Sequence, residues 1–290
     1  MRTIDNHFSL KAEKTLYHYT SVSALLGMVE SRSIRASNIY FLNDSKEIVH
    51  ACEVLQQVLR DRLKGNVHSD EETEFLSQLA DWIESCKTTT YNVFIFSLSE
   101  NASILSQWRS YTPHGKGVSI GVSTNTLNHI AQRYNLRIGR CIYERIQQKD
   151  IIKDLIDQLL ITFNQQLSSI DTQKANRSQS YFPFLERFRG RVLQVLALIK
   201  DQAFKEEGEW RLISPYFARY TVPEILFREG ASMLVPYIEL SLGQQSPIFE
   251  EVILGPSQHQ NLSMSALSMF LSNQEFCNVV KNCSIPYREW

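Results

Sequence analysis

Leu16-Tyr17-His18-Tyr19-Thr20, LYHYT, is the first stretch of the chain that reads as a strand, and it begins as the polar N-terminal segment ends. It sets a histidine and two tyrosines directly before a helix start. Thr20 or Ser21 can cap a helix running to about Glu30, with Val22, Leu25, Leu26 and Val29 as its apolar face. Ser33 to Phe41, SIRASNIYF, alternates as a second strand does. Asp44, with Glu47 three residues later, has the spacing of a capping box for a helix to about Leu63. A further amphipathic helix is expected over Glu71 to Cys86, facing the core with Phe75, Leu79, Trp82 and Ile83.

Aromatic and β-branched residues make Tyr91 to Leu98 a clear strand, and Ser99 to Tyr111 a short helix with Ile104, Trp108 and Tyr111 on one side. Pro113 to Gly117 is a turn leading into GVSIGVS, a strand; Ser123 to Asn135 is helical and Leu136 to Tyr143 a strand again. Ile152, Leu155, Ile156, Leu159, Leu160 and Phe163 repeat at helical spacing. After a polar loop a second long helix is expected from Pro183, suited to a first turn, to about Ala203. These two helices read as an antiparallel pair inserted between strands. Four strands, GEWRLIS, EILFR, MLVPYIEL and FEEVILG, cluster late; a helix over Asn261 to Ser272 and a strand, NVVKNCSI, follow. Alternating elements early and clustered strands late predict an α+β fold: a mixed, mostly antiparallel sheet, flanking helices and a two-helix insert over 147–203. The expected organisation is an N-terminal extension over 1–14 and one domain over 15–290.

At 290 residues, 43% hydrophobic and 21% charged, the composition is that of an ordinary globular protein. No apolar run approaches the roughly 18 residues of a membrane span, and MRTIDNHFSLKAEK lacks the apolar core of a signal peptide, so the expected compartment is the cytoplasm with no membrane partner. A formal net charge of −1 gives no whole-molecule attraction for nucleic acid. The five cysteines are dispersed, without CxxC or zinc spacing, so reduced packing cysteines and no metal are expected. Phosphate-loop, dinucleotide-fingerprint and HExxH spacings are missing.

Three strands carry polar residues where a plain core strand would not. His18 in LYHYT, Ser97 and Ser99 in VFIFSLS, and Glu209 and Arg211 in EWRLI each share a face with apolar residues. If those mixed faces line one cleft, it holds His18, Ser97, Ser99, Glu209 and Arg211. Each residue also has a plainer structural reading. A strand histidine commonly just hydrogen-bonds within the core; the serines can cap the next helix, and Arg109 can pair with a surface carboxylate. Glu209 and Arg211 can form a solvated strand face, and Lys205 to Glu209 an exposed charged loop.

LYHYTS, LLGMVESRSIRAS, FLND with Glu47, LSQWRSY, GKGVSIGV, GEWRLI, VPYIEL, VILGP and SIPYR, in that order from Leu16 to Arg288, resemble a bacterial domain family of unknown function. More loosely, a first-strand histidine before a helix and strand is similar to the opening of ADP-ribosyltransferase-like folds, with their split sheet. Ser97-Leu98-Ser99 resembles their serine motif and Glu207-Gly208-Glu209 their E-x-E motif. This resemblance implies NAD as substrate and no metal. Glu209 would be the catalytic carboxylate, with Glu207 as a substrate contact and His18 on the adenosine ribose. Ser97 and Ser99 would support the nicotinamide end, Tyr19 or Tyr111 would stack on a ring, and Arg109 would contact phosphate. The acceptor would be nucleic acid or protein, in the context of a toxin or anti-phage effector. Families with the serine and E-x-E motifs begin with arginine where this chain has His18. The alternative is a non-enzymatic module that binds a nucleotide or nucleic-acid end, with His18, Arg109 and Arg211 as ligands. A metal-assisted hydrolase would need paired acidic motifs that the sequence does not display.

Overall fold

The computed structural model describes residues 4–9, 14–42, 46–65, 68–112, 117–167, 177–218, 222, 224–230, 232–244 and 246–285, with only the backbone for 177–180. In chain order the elements are β1 (Thr15–Ser21), α1 (Val22–Ser31), β2 (Ser33–Asn38), α2 (Glu47–Gly65), α3 (Asp70–Ser85), β3 (Phe94–Ser99) and α4 (Leu105–Tyr111). Then come β4 (Gly117–Ser123), α5 (Thr124–Arg133), β5 (Arg137–Arg140), α6 (Arg145–Gln166), α7 (Arg177–Leu196) and β6 (Glu209–Ile213). The chain continues through β7 (Leu226–Glu229), β8 (Leu234–Ser241), β9 (Glu251–Leu254), α8 (Gln260–Asn273) and β10 (Val280–Asn282).

Local chemistry explains most boundaries. The Ser21 hydroxyl accepts from the Ala24 N–H at 3.1 Å and starts α1; Arg32, left-handed at φ 48°, ends it. Ser69 and Ser123 cap α3 and α5 in the same way. Asn43 and Asp44, the expected cap of α2, lie outside the described residues. Its Glu47 turns inward and is buried, where it pairs with Arg211. On α1 only Leu25 and Val29 enter the core. Val22 and Leu26 are exposed, because a ten-residue helix lying over a sheet edge buries one narrow stripe. The second long helix begins six residues before Pro183, which falls inside α7, and it ends at Leu196. Burial overrides the proline: Tyr181 and Phe184 beside it are buried, and that packing outweighs the lost N–H.

The strands form one mixed, mostly antiparallel open sheet of order β10-β9-β4-β1-β3-β2-β8-β7, with β6 paired to β3 and β5 to β6; only β9 and β10 run parallel. β3 is the branch point. Its one edge pairs with β6 from Ile95 to Ser99. Its other edge is divided: β2 pairs at Phe94 and Ile95, and β1 only where Tyr17 meets Ser99. Between those two contacts the sheet is split.

Alternation along the strands sends side chains into two cores. Ile95 and Ile213 join the buried cluster of α2, α3, α6 and α7, where Phe75 stacks on Phe163 at 4.5 Å. Phe94, Phe96, Leu98 and Leu212 face the opposite way, into the cluster of α1, α5 and α8. The expected helical pair lies between β5 and β6, and α6 and α7 share a core with α2 and α3 on one face of the sheet.

Candidate functional site

The split opens into a groove of about 770 Å³. Its walls come from β1 (His18, Thr20), α1 (Ser23, Gly27), β2 (Ser33, Arg35, Ser37), β3 (Ser97) and β6 (Glu209, Arg211), with Tyr111 and Glu207 at one end. A smaller recess of about 50 Å³, lined by Tyr17, His18, Tyr19, Ser97, Leu98, Ser99, Gln107, Tyr111, Glu207 and Glu209, shares residues with it.

His18 reaches this groove through the gap between strands. The Glu100 N–H bonds the Gly208 carbonyl and the Ser214 N–H the Phe94 carbonyl, at the two ends of the β3–β6 pairing, so the even-numbered residues of β3 turn their polar groups to β6 and the odd ones to the split edge. The carbonyl of Ser97 thus points where no strand pairs with it, and His18 Nδ1 fills the vacancy at 2.9 Å. A carbonyl can only accept, so Nδ1 carries the proton. Burial lowers the pKa of His18, partly opposed by that hydrogen bond, and the imidazole stays neutral. Nε2 is then an acceptor on a ring fixed by stacking on Phe96, centroids 4.3 Å apart.

Below the groove lies a buried ionic cluster. Arg211, with no exposed surface, bonds Glu209 through Nε at 2.8 Å and Nη2 at 2.9 Å, gives Nη1 to the Ala197 carbonyl at 2.7 Å, and also pairs with Glu47. Ala197 lies just past the end of α7, so its carbonyl is not consumed by the helix. Lys200 bridges Glu209 and Glu207, at 2.6 and 2.5 Å. The Glu209 N–H bonds the Tyr143 hydroxyl at 2.9 Å. Three carboxylates and two cations share one low-dielectric pocket, and the carboxyl pKa values shift in different directions. Burial raises a carboxyl pKa, but at Glu209 the Arg211 and Lys200 charges outweigh it and hold the value at about 2. At Glu207 and Glu47 burial prevails over the nearby cations, and both are raised. Tyr111 is pushed up to about 12 by burial and then by Glu207.

His18, Tyr19, Ser97, Ser99, Tyr111, Glu207, Glu209 and Arg211, expected at the cleft, line the groove or its recess, but not by sharing a face. The Tyr17–Ser99 register puts Tyr17 and Tyr19 on the side of Ser97, Glu209 and Arg211. His18 faces the other side, with Phe96, and enters through the split. Three expectations need correcting on physical grounds. Glu209 and Arg211 are buried and mutually paired, so they are no solvated strand face, and Arg211 holds Glu209 in place with its donors committed inside the cluster. Tyr19 is 5% exposed; its hydroxyl donates to the Asn101 carbonyl and accepts from Ile104 N–H, and its ring meets Trp108 edge-on at 5.0 Å. Those contacts fix its ring in the wall, where it lines both the groove and the recess beside the less buried Tyr111. Arg109 is exposed on α4 and does not line the groove. The Ser99 hydroxyl donates to the Glu207 carbonyl at 2.6 Å and caps Asn101, so it fixes the E-x-E turn.

Sequence reading missed Glu47 and Lys200. Lys200 had a signal: a lone cation closing the apolar run Leu196 to Ile199. Glu47 looked like a helix-start residue and had none. Gly117-Val118-Ser119-Ile120-Gly121 has the G-x-S-x-G spacing of a nucleophile elbow, but Ser119 is fully buried within β4, and the required strand-to-helix turn is not there. Among the described residues no three histidine, cysteine or acidic side chains are grouped to share a metal ion, and no helix is long and apolar enough to cross a membrane.

Over residues 107–212 the chain is similar to a family described as a protein of unknown function, DUF2971. The matched stretch runs from α4 to β6 and takes in Tyr111, Lys200, Glu207, Glu209 and Arg211; His18 and Ser97 precede it. No curated protein matches the chain.

Proposed function

We propose that the groove binds NAD and that the chain cleaves its nicotinamide–ribose bond, passing ADP-ribose to a macromolecule or to water, as in ADP-ribosyltransferase-like folds. One observation carries this reading. The split of the sheet brings a neutral, acceptor-bearing imidazole and two carboxylates whose pKa values are shifted in opposite directions onto the walls of one groove of ligand size. His18 Nε2 would accept from a ribose hydroxyl. Scission of the ribose C1′–N bond sends its electron pair to the pyridinium, which departs as neutral nicotinamide, and leaves an oxocarbenium-like ribose. Glu209, ionised at any physiological pH, supplies fixed negative potential beside that cation. Glu207, whose pKa is raised by burial, would in its ionised form take the proton of the attacking hydroxyl or water. Tyr111 shields the nicotinamide face.

The test is mass spectrometry of NAD and of nucleic-acid and protein acceptors after incubation with wild type, Glu207→Gln and Glu209→Gln. Nicotinamide release by wild type that falls by about two orders of magnitude or more in either variant is expected. No release by wild type, or full activity in both variants, overturns the reading.

The engagement of both Glu209 oxygens by Arg211 and Lys200 favours a second reading, a binding module in which the cluster is structural and the groove only holds a nucleotide. Saturable calorimetric binding of NAD without turnover would select it.

A further inference from the structure

At the far end of the sheet from β10, β7 is an edge strand whose four residues are all exposed, and two of them are apolar: Leu226 at 39% and Phe227 at 63%. Leu234, opposite Glu229 on β8, is 66% exposed. An apolar, uncovered edge is a liability that folded proteins normally blunt with a charge row, a bulge or a cover. We propose that the outer edge of β7 docks an extended segment of a partner protein by strand addition.

The backbone gives the first argument. The Gly230 N–H bonds the Met233 carbonyl at 2.9 Å, closing the β7–β8 hairpin. Alternation from that bond turns the N–H and C=O of Phe227 and Glu229 away from β8, and Pro236, which has no N–H, stands opposite Phe227. Among the described residues no strand pairs with that edge. Its row of alternating donors and acceptors matches an extended polypeptide.

Side chains specify the occupant. Leu226 and Arg228 share a face with Ser37 and the groove; Arg228 Nη2 lies 3.4 Å from the Ser37 hydroxyl. Phe227 and Glu229 share the other face with Leu234. A strand added here therefore meets the Arg228 cation on one face and, on the other, an apolar patch beside the Glu229 carboxylate, which repels acidic side chains there; the complementary segment alternates acidic residues toward Arg228 with apolar residues toward Phe227 and Leu234. A second copy of the chain fits less well. Two-fold self-pairing sets Arg228 against Arg228, Glu229 against Glu229, or Arg228 against Leu226, and no register gives Arg228 a carboxylate.

The probe is a short fluorescein-labelled peptide alternating valine and aspartate, followed by anisotropy with the full chain, beside the same peptide N-methylated at alternate residues and a valine–lysine counterpart. Saturable binding of the first is expected, with loss of about tenfold or more on N-methylation, on exchanging aspartate for lysine, and in Phe227→Pro. The peptide controls hold even if that variant folds poorly, and none of these readouts depends on NAD. No binding, or equal binding of the N-methylated peptide, overturns the proposal. So does a wild-type dimer in sedimentation that Phe227→Pro converts to monomer, which assigns the edge to a second copy.

Discussion

His18 illustrates how one side chain can satisfy the fold and equip a site at once. By filling the bond that the split takes from the Ser97 carbonyl, it fixes its own tautomer and presents Nε2 to the groove. Since burial lowers its pKa, the neutral form is the one the fold prefers. Its contribution to stability is complete above the unfolded value near 6.5 and declines as pH falls from there through the lower folded value. Nitrogen-15 NMR of imidazole-labelled protein should find the Nδ1–H tautomer at pH 7 and a midpoint below 6.5. An Nε2–H tautomer, or a midpoint above 6.5, would contradict this. The histidine was legible in the sequence as a polar residue in an aromatic strand, but its route to the groove was not. Strand parity says which residues of one strand share a face; only register relates that face to a neighbour, and register is set by contacts far apart in the chain.

Elements with strong periodicity were readable, since hydrophobic spacing reports directly on burial. α6 follows its expected stripe, with Ile152, Leu155, Ile156, Leu159, Leu160 and Phe163 all buried. α7 was misread at its start because a proline is a good first-turn residue, whereas here it sits exposed inside the helix and Tyr181 and Phe184 supply the burial. Pro183→Ala restores a backbone donor without removing buried surface, and should stabilise the protein by about 1–3 kcal/mol in urea unfolding. A loss of stability would mean that the ring is needed where it stands. Phe163→Ala, which removes a fully buried ring stacked on Phe75, should cost about 3–5 kcal/mol in the same assay. A cost below about 1 kcal/mol would show that α6 and α7 are not held by the core they share with α2 and α3.

At the scale of the whole molecule, the ionic cluster ties the helical layer to the sheet: Glu47 comes from α2, Lys200 from beyond α7, and Arg211 and Glu209 from β6. Sequence offered the β6 pair and little else, because the charged partners of that pair, Lys200 and Glu47, lie 9 and 164 residues away. Arg211→Leu leaves Glu209 and Glu47 buried with one cation fewer and should cost about 3–5 kcal/mol at pH 7. The pH dependence has two signs. Glu209, depressed to about 2, contributes stability that is present above 4.5 and lost as pH falls through 2. Glu47 and Glu207, both raised, contribute below 4.5 and lose that contribution as pH rises through their folded values. Between neutral pH and 4.5 the cluster should therefore resist acid, and denaturant midpoints of Arg211→Leu should recover toward wild type as pH falls toward 4.5. A gap that widens over that interval would contradict the assignment. The split itself joins the cluster to His18, and no local pattern announces it: it is a property of where three strands meet.

The most direct test is a calorimetric titration of wild type and His18→Ala with NAD at pH 7.5, using Glu209→Gln protein as the background to suppress turnover. Saturable binding that His18→Ala weakens by about tenfold or more is the expected result. An absence of binding, or binding that the loss of His18 leaves unchanged, would contradict a nucleotide site at the split of the sheet.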